Sequence, residues 1–316
     1  MSLKKFIVQL LLYFILFAGI YFFFVYKLSK GYVDQFYNKV NQDAGSLIIG
    51  LSRADQGIDP FILEEELSNY DKPIVNFSMN AHQSAFGEVY LQGIDKKLST
   101  NNINGLFIVS ISPGNFTVRA EIKDDKIYDL DKEAIIGSID NLTSKPNFDY
   151  IISKYQQPLY NSLFNKENLD YFMSHPNGWN EIALAKENDS KDMAFWKEQT
   201  TDYYNREIKK LRISKYRIKY FVKTIEYLKT KGKVFVIRMP SDLDVVKFEN
   251  DNWKNFDSQF DSISKKHSIP YFNYSKRSNE FIAYDGSHLE SESAKKFTKL
   301  LSIDIKNYLK TKKSIN

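Results

Sequence analysis

The sequence contains no cysteine and only four histidines, 13 glycines and 8 prolines. Without cysteine, disulfides, thiolate metal sites and a cysteine nucleophile are excluded. Acidic residues are absent from the first thirty positions, whose four lysines account for most of the net charge of +5. The rest of the chain is therefore nearly neutral and lacks the clustered cations on which binding to a phosphate polyanion depends. Nucleic acid is not an expected partner.

Residues 6–26 form an apolar segment without any charged side chain. As a helix, this segment would span about 31 Å, which matches a bilayer hydrocarbon core of about 30 Å. A cleavable signal peptide has a shorter apolar region followed by a small-residue cleavage site, whereas bulky aromatic residues stand at that place here. A buried core helix is rarely apolar on every face for so long. We therefore predict an uncleaved transmembrane signal anchor over residues 1–30 that contacts the lipid bilayer through residues 6–26.

The remainder of the chain is long enough for a substantial core, and its 43% apolar and 15% aromatic content excludes wholesale disorder. We expect residues 31–45 to form a polar stalk and residues 46–316 to form the body. Lysines flank both ends of the apolar segment, so the positive-inside rule hardly distinguishes the two orientations of the anchor.

Short apolar runs alternate with helical patterns along the body. Runs that are apolar on both faces are typical of buried parallel strands, and they occupy residues 46–50, 74–77, 106–111 and 234–237. A weaker fifth run at 269–272 contains Pro270, which confines it to a sheet edge or a strand start. Helical patterns cover residues 61–67, 85–98, 206–230, 251–266 and 291–309. This alternation predicts a three-layer α/β domain with a parallel sheet.

Residues 119–205 do not follow the alternation and are rich in Asp, Lys, Asn, Tyr and Trp. We interpret them as an insertion between the third and fourth strands. A long insertion at the carboxyl edge of a parallel sheet often forms a lid or a partner surface. A decoration without such a role is an equally open interpretation.

A serine follows the first predicted strand in the sequence GLSR at 50–53. At a tight turn on the carboxyl edge of the sheet, the Ser52 hydroxyl would be exposed and its backbone N–H could help to bind an oxyanion. By itself, a strand that ends in Gly-x-Ser is commonly only a turn.

A second motif, YDGSH at 284–288, stands before the last predicted helix. Asp285 can accept the Nδ1–H of His288, which would leave Nε2 of the imidazole to deprotonate a hydroxyl. The structural alternatives are a turn-forming aspartate and a surface histidine.

Taken together, the early Gly-x-Ser turn and the late Asp-x-x-His resemble the SGNH (GDSL-like) hydrolase superfamily. Membrane-anchored bacterial members are more similar still. They include the protein of teichoic acid D-alanylation and the acetyltransferase-like proteins of exopolysaccharide modification, which share an anchor and a first block of the type I-x-G-x-S-R. That block reads SLIIGLSRADQGIDP over 46–60 here. The resemblance covers roughly residues 46–118 and 232–305.

The resemblance implies a flavodoxin-like α/β/α fold and a catalytic triad. Carried over by position, Ser52 is the nucleophile, His288 the general base and Asp285 the residue that orients the histidine. It further implies a body on the extracytoplasmic side of the cytoplasmic (inner) membrane.

The blocks that supply an oxyanion hole in this superfamily depart from its pattern. The second block, NFSMNAHQS at 76–84, lacks the usual glycine and leaves Ser78, Asn80 or Ala81 as donors. The third block, ISPGNFT at 111–117, offers Ser112 or Asn115 in place of Gly-x-Asn. These departures fit either an altered geometry or a scaffold that has lost catalysis.

Two other residues have alternative interpretations. His82 would either line the site or make a local structural hydrogen bond. Arg238 would either place a cation at the rim of the cleft or form a structural ion pair. The histidines and carboxylates do not cluster in the sequence as metal ligands would.

The expected function is that of a serine esterase or O-acyltransferase acting on acyl esters of envelope or exported polysaccharide, without a cofactor or metal. Expected partners are the bilayer, a glycan substrate and a multipass membrane acyltransferase. The first alternative is a catalytically inactive SGNH-fold subunit that binds glycan or docks such an acyltransferase. The second is a purely structural envelope component that uses residues 119–205 as its interface.

Overall fold

The computed structural model describes residues 2–80, 83–164, 171–184 and 190–315. Its strands are β1 (Ser46–Ile49), β2 (Ile74–Asn76), β3 (Gly105–Ser110), β4 (Thr117–Arg119), β5 (Phe172–Ser174), β6 (Asn180–Ile182), β7 (Leu211–Ile213), β8 (Gly232–Arg238) and β9 (Tyr271–Asn273). Its α-helices are α1 (Leu3–Leu28), α2 (Ser52–Gly57), α3 (Pro60–Glu66), α4 (Glu88–Lys97), α5 (Ile127–Glu133), α6 (Phe148–Lys154), α7 (Ser190–Glu207), α8 (Lys215–Lys229), α9 (Leu243–Asn252), α10 (Phe256–Lys266) and α11 (Ser291–Ile315).

Five strands form one parallel sheet in the order β2-β1-β3-β8-β9. Each of them falls on a predicted apolar run, so the α/β class and the parallel sheet are confirmed. The weakest predicted strand, β9, lies at the edge of the sheet and begins directly after Pro270. An edge position suits this segment because proline has no N–H for a neighbouring strand.

Alternate strand residues pack into two separate cores. On β1, Leu47 and Ile49 belong to one cluster of buried side chains, whereas Ile48 belongs to the other. Successive side chains of a strand point to opposite faces, so the two clusters lie on opposite faces of the sheet. The first cluster receives side chains from α4, α8 and α10, and the second from α2, α3 and α11. This burial on both faces explains why the strands lack polar alternation.

Helix α1 is long and apolar enough to cross a membrane, with a mean hydropathy of 2.3 over its most apolar stretch. It contains the predicted segment 6–26. Most of its side chains are exposed, and the helix joins the body only near its end, where Val25 and Leu28 are fully buried.

Residues 31–45, predicted to be a polar stalk, instead pack into the body. Val33, Tyr37 and Val40 are buried within the first core cluster, and the segment is helical only in a 3-10 turn at Tyr37–Lys39. Lys39 is completely buried as well and pairs with Asp55. A charged side chain is compatible with the core here because its partner lies in the body.

The helix predicted over 206–230 is wrong in about its first third. Helix α7 ends at Glu207, β7 follows, and α8 begins only at Lys215. β7 pairs in antiparallel fashion with β4, a contact between distant parts of the chain. Ser214 then caps α8 by accepting a hydrogen bond from the Arg217 N–H at 3.2 Å.

The helix predicted over 251–266 is confirmed over Phe256–Lys266 and is wrong only at its start, where a separate helix ends. Helix α9 ends at Asn252 and α10 begins at Phe256. Trp253 interrupts the helical path with φ −129° and ψ 64°.

The described part of the predicted insertion contains α5, α6, α7 and the antiparallel pair β5–β6. Because β4 and β7 pair across its base, the inserted region extends to both sides of the predicted limits 119–205.

Candidate active site

Ser52, His288 and Asp285 form a continuous hydrogen-bonded row. Ser52 Oγ lies 2.7 Å from His288 Nε2, and His288 Nδ1 lies 2.7 Å from Asp285 Oδ2. An imidazole that is protonated on Nδ1 therefore donates to the carboxylate and accepts from the serine hydroxyl. The structure brings all three predicted residues together with the spacing that proton transfer requires.

Ser52 is the first residue of α2, and the turn that joins β1 to α2 positions it. Gly50 makes this turn possible, since a Cβ there would lie 2.9 Å from the Ala54 Cβ and 3.0 Å from the Ser110 Cβ. The Gly-x-Ser spacing thus reflects a close approach of β1, α2 and β3 at the carboxyl edge of the sheet.

Asp285 and His288 are held by a tight loop before α11. The Asp285 Oδ1 atom accepts hydrogen bonds from the backbone N–H groups of Ser287, at 2.9 Å, and His288, at 2.8 Å. Gly286 adopts φ +81°, a conformation that residues with a side chain rarely adopt. The Tyr284 N–H donates to the His288 carbonyl at 2.9 Å and closes the loop.

The carboxyl group of Asp285 stays ionised in this setting. Burial opposes its ionisation, but the His288 imidazole and the backbone N–H groups of Ser287 and His288 stabilise the charge, and together they hold its pKa below the ordinary value. An ionised carboxylate therefore lies beside His288 Nδ1.

A network of mostly buried side chains joins the serine and histidine segments beside the row. Arg53 donates from Nε to Ser287 Oγ at 3.1 Å and from a terminal nitrogen to Glu249 Oε1 at 2.8 Å. The Tyr204 hydroxyl of α7 lies 2.8 Å from the same Ser287 oxygen. The neighbours of Ser52 and His288 in the chain are therefore tied to each other and to the inserted region.

Arg238 takes part in this network rather than facing the cleft. It is 1% exposed and forms ion pairs with Glu249, at 2.8 Å, and Asp257, at 2.8 Å. The interpretation as a structural ion pair is confirmed, and the alternative of a cation at the rim is wrong. Glu249 accepts hydrogen bonds from both Arg53 and Arg238, so the two arginines share the same buried carboxylate.

Helix α2 is also held from the side of α1. Lys39 Nζ lies 2.5 Å from Asp55 Oδ1 and 3.2 Å from the Asn76 carbonyl oxygen. Asn180 Nδ2 donates to both oxygens of Asp55 at 3.0 Å. These contacts lie one helical turn after Ser52 and resist displacement of α2.

The predicted oxyanion donors separate into two groups. Asn80 and Ser112 line the cleft with Ser52, whereas Ser78 and Asn115 are 0% and 1% exposed and are not part of its lining. The Asn115 Oδ1 atom accepts from both the backbone N–H of Ser112, at 2.8 Å, and its hydroxyl, at 2.9 Å. The N–H and the hydroxyl of Ser112 therefore both donate hydrogen bonds within their own loop.

The row opens onto a cleft of about 740 Å³ at the carboxyl edge of the sheet. Its walls include Tyr203 and Tyr204 of α7, Trp253, and the strands β4 and β7. The inserted region thus forms much of the cleft. Gln35, from the segment that follows α1, lines it as well. The volume falls within the range of about 300–1,000 Å³ that is usual for small-molecule sites.

Within the described ranges, no three histidine and carboxylate side chains are grouped as metal ligands would be. His82 and Ala81, two of the residues considered from the sequence, lie outside the described residues. Comparison with protein-family models and with curated proteins found no match to this chain.

Sequence reasoning missed the supporting residues Arg53, Tyr204, Glu249 and Ser287. Arg53 and Ser287 were adjacent to predicted site residues, and that adjacency was the available signal. No local pattern marked Tyr204 or Glu249, since each reaches the site from a distant helix.

Proposed function

We propose that this chain is a membrane-anchored, SGNH-like serine esterase or O-acyltransferase that acts on acyl esters of envelope or exported polysaccharide. The observation that carries the proposal is the hydrogen-bonded row from Ser52 through His288 to Asp285, with 2.7 Å at both of its side-chain contacts. The row faces a cleft large enough for a substrate.

The strand order supports assignment to the SGNH superfamily. Counted along the sheet strands alone, the order is 2-1-3-4-5, which is that of flavodoxin-like doubly wound folds. Apolar cores on both faces support a three-layer arrangement. Ser52 lies where the strand order reverses between β1 and β3, and ligands of such sheets bind in that crevice.

In the proposed reaction, His288 Nε2 takes the proton of Ser52 as its Oγ atom attacks the ester carbonyl carbon. The carbonyl electron pair moves onto oxygen and gives a tetrahedral oxyanion. As this intermediate collapses, the ester C–O bond breaks and His288 returns the proton to the leaving alcohol. Asp285 remains ionised throughout.

The resulting acyl group on Ser52 passes to a second oxygen nucleophile. His288 removes a proton from water or from a sugar hydroxyl as that oxygen attacks the acyl carbon. Breakdown of the second tetrahedral intermediate releases an acid or a new ester, and the proton returns to Ser52 Oγ.

We assign stabilisation of the oxyanion to the backbone N–H of Ser52 and to Asn80. Ser52 begins α2, so its N–H has no acceptor within the helix. Asn80 lines the cleft next to it. Donors at these two positions would replace the glycine and asparagine of the superfamily pattern.

The polysaccharide substrate and the location rest on the family resemblance and on α1. Uncharged polar and aromatic side chains, such as Gln199, Thr200, Tyr203 and Trp253, line the cleft and suit a sugar surface. With α1 as a signal anchor, the body would lie on the extracytoplasmic side of the cytoplasmic membrane, where it could meet a multipass acyltransferase.

One observation favours the alternative of an inactive SGNH-fold subunit that binds glycan or docks a membrane acyltransferase. Ser112, a predicted oxyanion donor, has its N–H and hydroxyl bonded to Asn115 Oδ1. A weak oxyanion hole would slow acylation while the fold and the cleft remain intact.

Labelling of purified full-length protein with a fluorophosphonate probe tests the catalytic proposal. We expect a phosphonyl adduct on Ser52, measured by peptide mass spectrometry, and hydrolysis of p-nitrophenyl acetate. Ser52→Ala should abolish both, whereas Ser258→Ala, at an exposed position of α10, should leave both intact. Absence of labelling in the folded wild-type protein, or unchanged hydrolysis in Ser52→Ala, would favour the inactive subunit.

A further inference from the structure

A patch of exposed apolar side chains lies on the inserted region next to α1. Phe148 and Ile152 of α6 are four residues apart, share one helix face and are 38% and 51% exposed. Tyr160, Leu163 and Phe164 follow, and Phe164 is 78% exposed. These five residues are named the apolar patch. Exposed apolar surface of this kind often marks an interaction site.

The apolar patch adjoins the end of α1. The 3-10 segment Leu159–Leu163 contacts α1, as does α6. Val25 and Leu28 of α1 are buried in the same core cluster as Ile151, and Leu159 packs against that cluster. The apolar patch therefore lies beside the last turns of α1, where the helix meets the body.

Buried polar contacts fix the apolar patch relative to α1. Asp34, shortly after α1, accepts hydrogen bonds from the Tyr150 hydroxyl at 2.8 and 3.0 Å. Asn147 Nδ2 donates to the Val40 carbonyl oxygen at 2.7 Å, and the Asn147 N–H donates to the Tyr37 hydroxyl at 3.2 Å. These hydrogen bonds join α6 to the chain that leaves α1.

The surroundings of the apolar patch favour lipid as its occupant. Residues 155–164 carry no charged side chain. On α1, Phe22 and Phe23 remain 56% and 53% exposed up to the point where the body begins. Lipid that covers α1 would thus reach the level of the apolar patch, where the exposed Lys27 and Lys30 at the end of α1 suit the headgroup region. Tyrosine and apolar side chains together are typical of the membrane interface.

We infer that the apolar patch is embedded in the bilayer interface and forms a second membrane contact of the body beside α1. The inference rests on the proposed crossing of the membrane by α1. Two contacts, one a helix and the other a rigid surface, would hold the body in one orientation on the membrane. The segment that follows α1 also lines the cleft through Gln35, so the cleft would be held close to the lipid surface.

Site-specific fluorescence tests this contact, and the absence of native cysteine allows single labels. Full-length Phe164→Cys and Ile152→Cys proteins are labelled with an environment-sensitive fluorophore and reconstituted into phosphatidylcholine vesicles. Phe17→Cys, on the exposed surface of α1, reports the span itself. Ile103→Cys is the aqueous control, since Ile103 is 85% exposed and precedes β3 at the opposite edge of the sheet from the cleft. Circular dichroism checks that each labelled protein retains the wild-type fold.

Lipids with a nitroxide on the acyl chain should quench both patch labels and the Phe17→Cys label, and leave the Ile103→Cys label unquenched. Quenching at Phe17→Cys without quenching at either patch site would overturn the inference and leave the anchor standing. Patch labels shielded from aqueous iodide but not quenched by lipid would indicate a second copy of the chain as the occupant, and would also overturn it. No quenching at Phe17→Cys would refute the membrane crossing and the inference together.

Discussion

The Tyr204 hydroxyl lies 2.8 Å from Ser287 Oγ, and this contact joins the inserted helix α7 to the residue that precedes His288 in the chain. Ser287 also accepts from Arg53, the residue after Ser52, at 3.1 Å. One serine hydroxyl therefore lies between both halves of the proposed catalytic row and the inserted region. We expect Tyr204 and Arg53 to act as positioning residues, because each contacts the row through Ser287.

Tyr204→Phe should lower kcat for p-nitrophenyl acetate about two- to thirteenfold, since a single hydrogen bond contributes about 0.5–1.5 kcal/mol. We expect circular dichroism and fluorophosphonate adduct formation on Ser52 to persist. Tyr227→Phe on α8, which removes a tyrosine hydroxyl bonded to Asp95 away from the cleft, is the matched control and should leave kcat unchanged. Equal effects of the two substitutions would show that the contact with Ser287 does not position the row.

Asp285→Asn should reduce kcat about 10³- to 10⁴-fold, because an amide can neither orient the Nδ1 proton nor stabilise the imidazolium. The measurement is steady-state hydrolysis of p-nitrophenyl acetate by the purified protein. Asp129→Asn, at an exposed carboxylate of α5, serves as the control. Retention of wild-type kcat in Asp285→Asn would contradict the proposed triad.

Asp285→Asn should also change how the free energy of unfolding depends on pH. The pKa of Asp285 is lower in the folded state than its ordinary value of 3.8. Ionised Asp285 therefore contributes stability that is fully present above about pH 4 and is lost as the pH falls through the folded pKa. The stability difference between wild type and Asp285→Asn should accordingly shrink only below pH 4, as followed by thermal denaturation in detergent.

Lys97 should make stability rise with pH above neutrality. Burial lowers the pKa of its ammonium to about 7, against the attraction of Asp43. The unfolded chain keeps this proton up to about pH 10, so unfolding takes up a proton and becomes less favourable as the pH rises. The slope should be at most about 1.4 kcal/mol per pH unit between pH 7 and 10.

Urea titrations of the detergent-solubilised protein at pH 7, 8 and 9 measure this slope. Lys97→Met should flatten it, although loss of the hydrogen bonds to the Gln42 and Leu142 carbonyls lowers stability at every pH. Lys96→Met, the exposed neighbour on α4, should keep the wild-type slope. An identical slope in Lys97→Met and wild type would refute the assignment to Lys97.

Removal of Lys39 should be strongly destabilising. Its ion pair with Asp55 is 0% and 4% exposed, so Lys39→Met leaves a buried carboxylate without its cation and should cost about 3–5 kcal/mol. Adding Asp55→Asn should recover part of this loss, because the remaining group is then neutral. For comparison, Lys265→Met breaks a pair with Asp261 that is 76% and 44% exposed, and should cost about 0–1 kcal/mol. Denaturant titration compares the three variants with wild type.

Features encoded by neighbouring residues could be predicted from the sequence. The apolar length of α1, the five strands of the parallel sheet and the Asp285-x-x-His288 loop each depend on adjacent or regularly spaced side chains. The boundaries of α8 and α10 were predicted wrongly, because a periodic apolar pattern does not reveal that β7 pairs with β4 or that Trp253 interrupts a helix.

By itself, the sequence determined the apolar helix, the class of the sheet and the identity of the three residues in the proposed catalytic row. Only the tertiary structure decided that Ser52 and His288, 236 positions apart, meet at 2.7 Å. It also decided that Lys39 of the expected stalk is buried and that Tyr204 of the inserted region supports the site. The physical reason is that hydrogen bonds and ion pairs between distant residues form only where packing of the whole chain brings them within reach, and no local pattern encodes that distance.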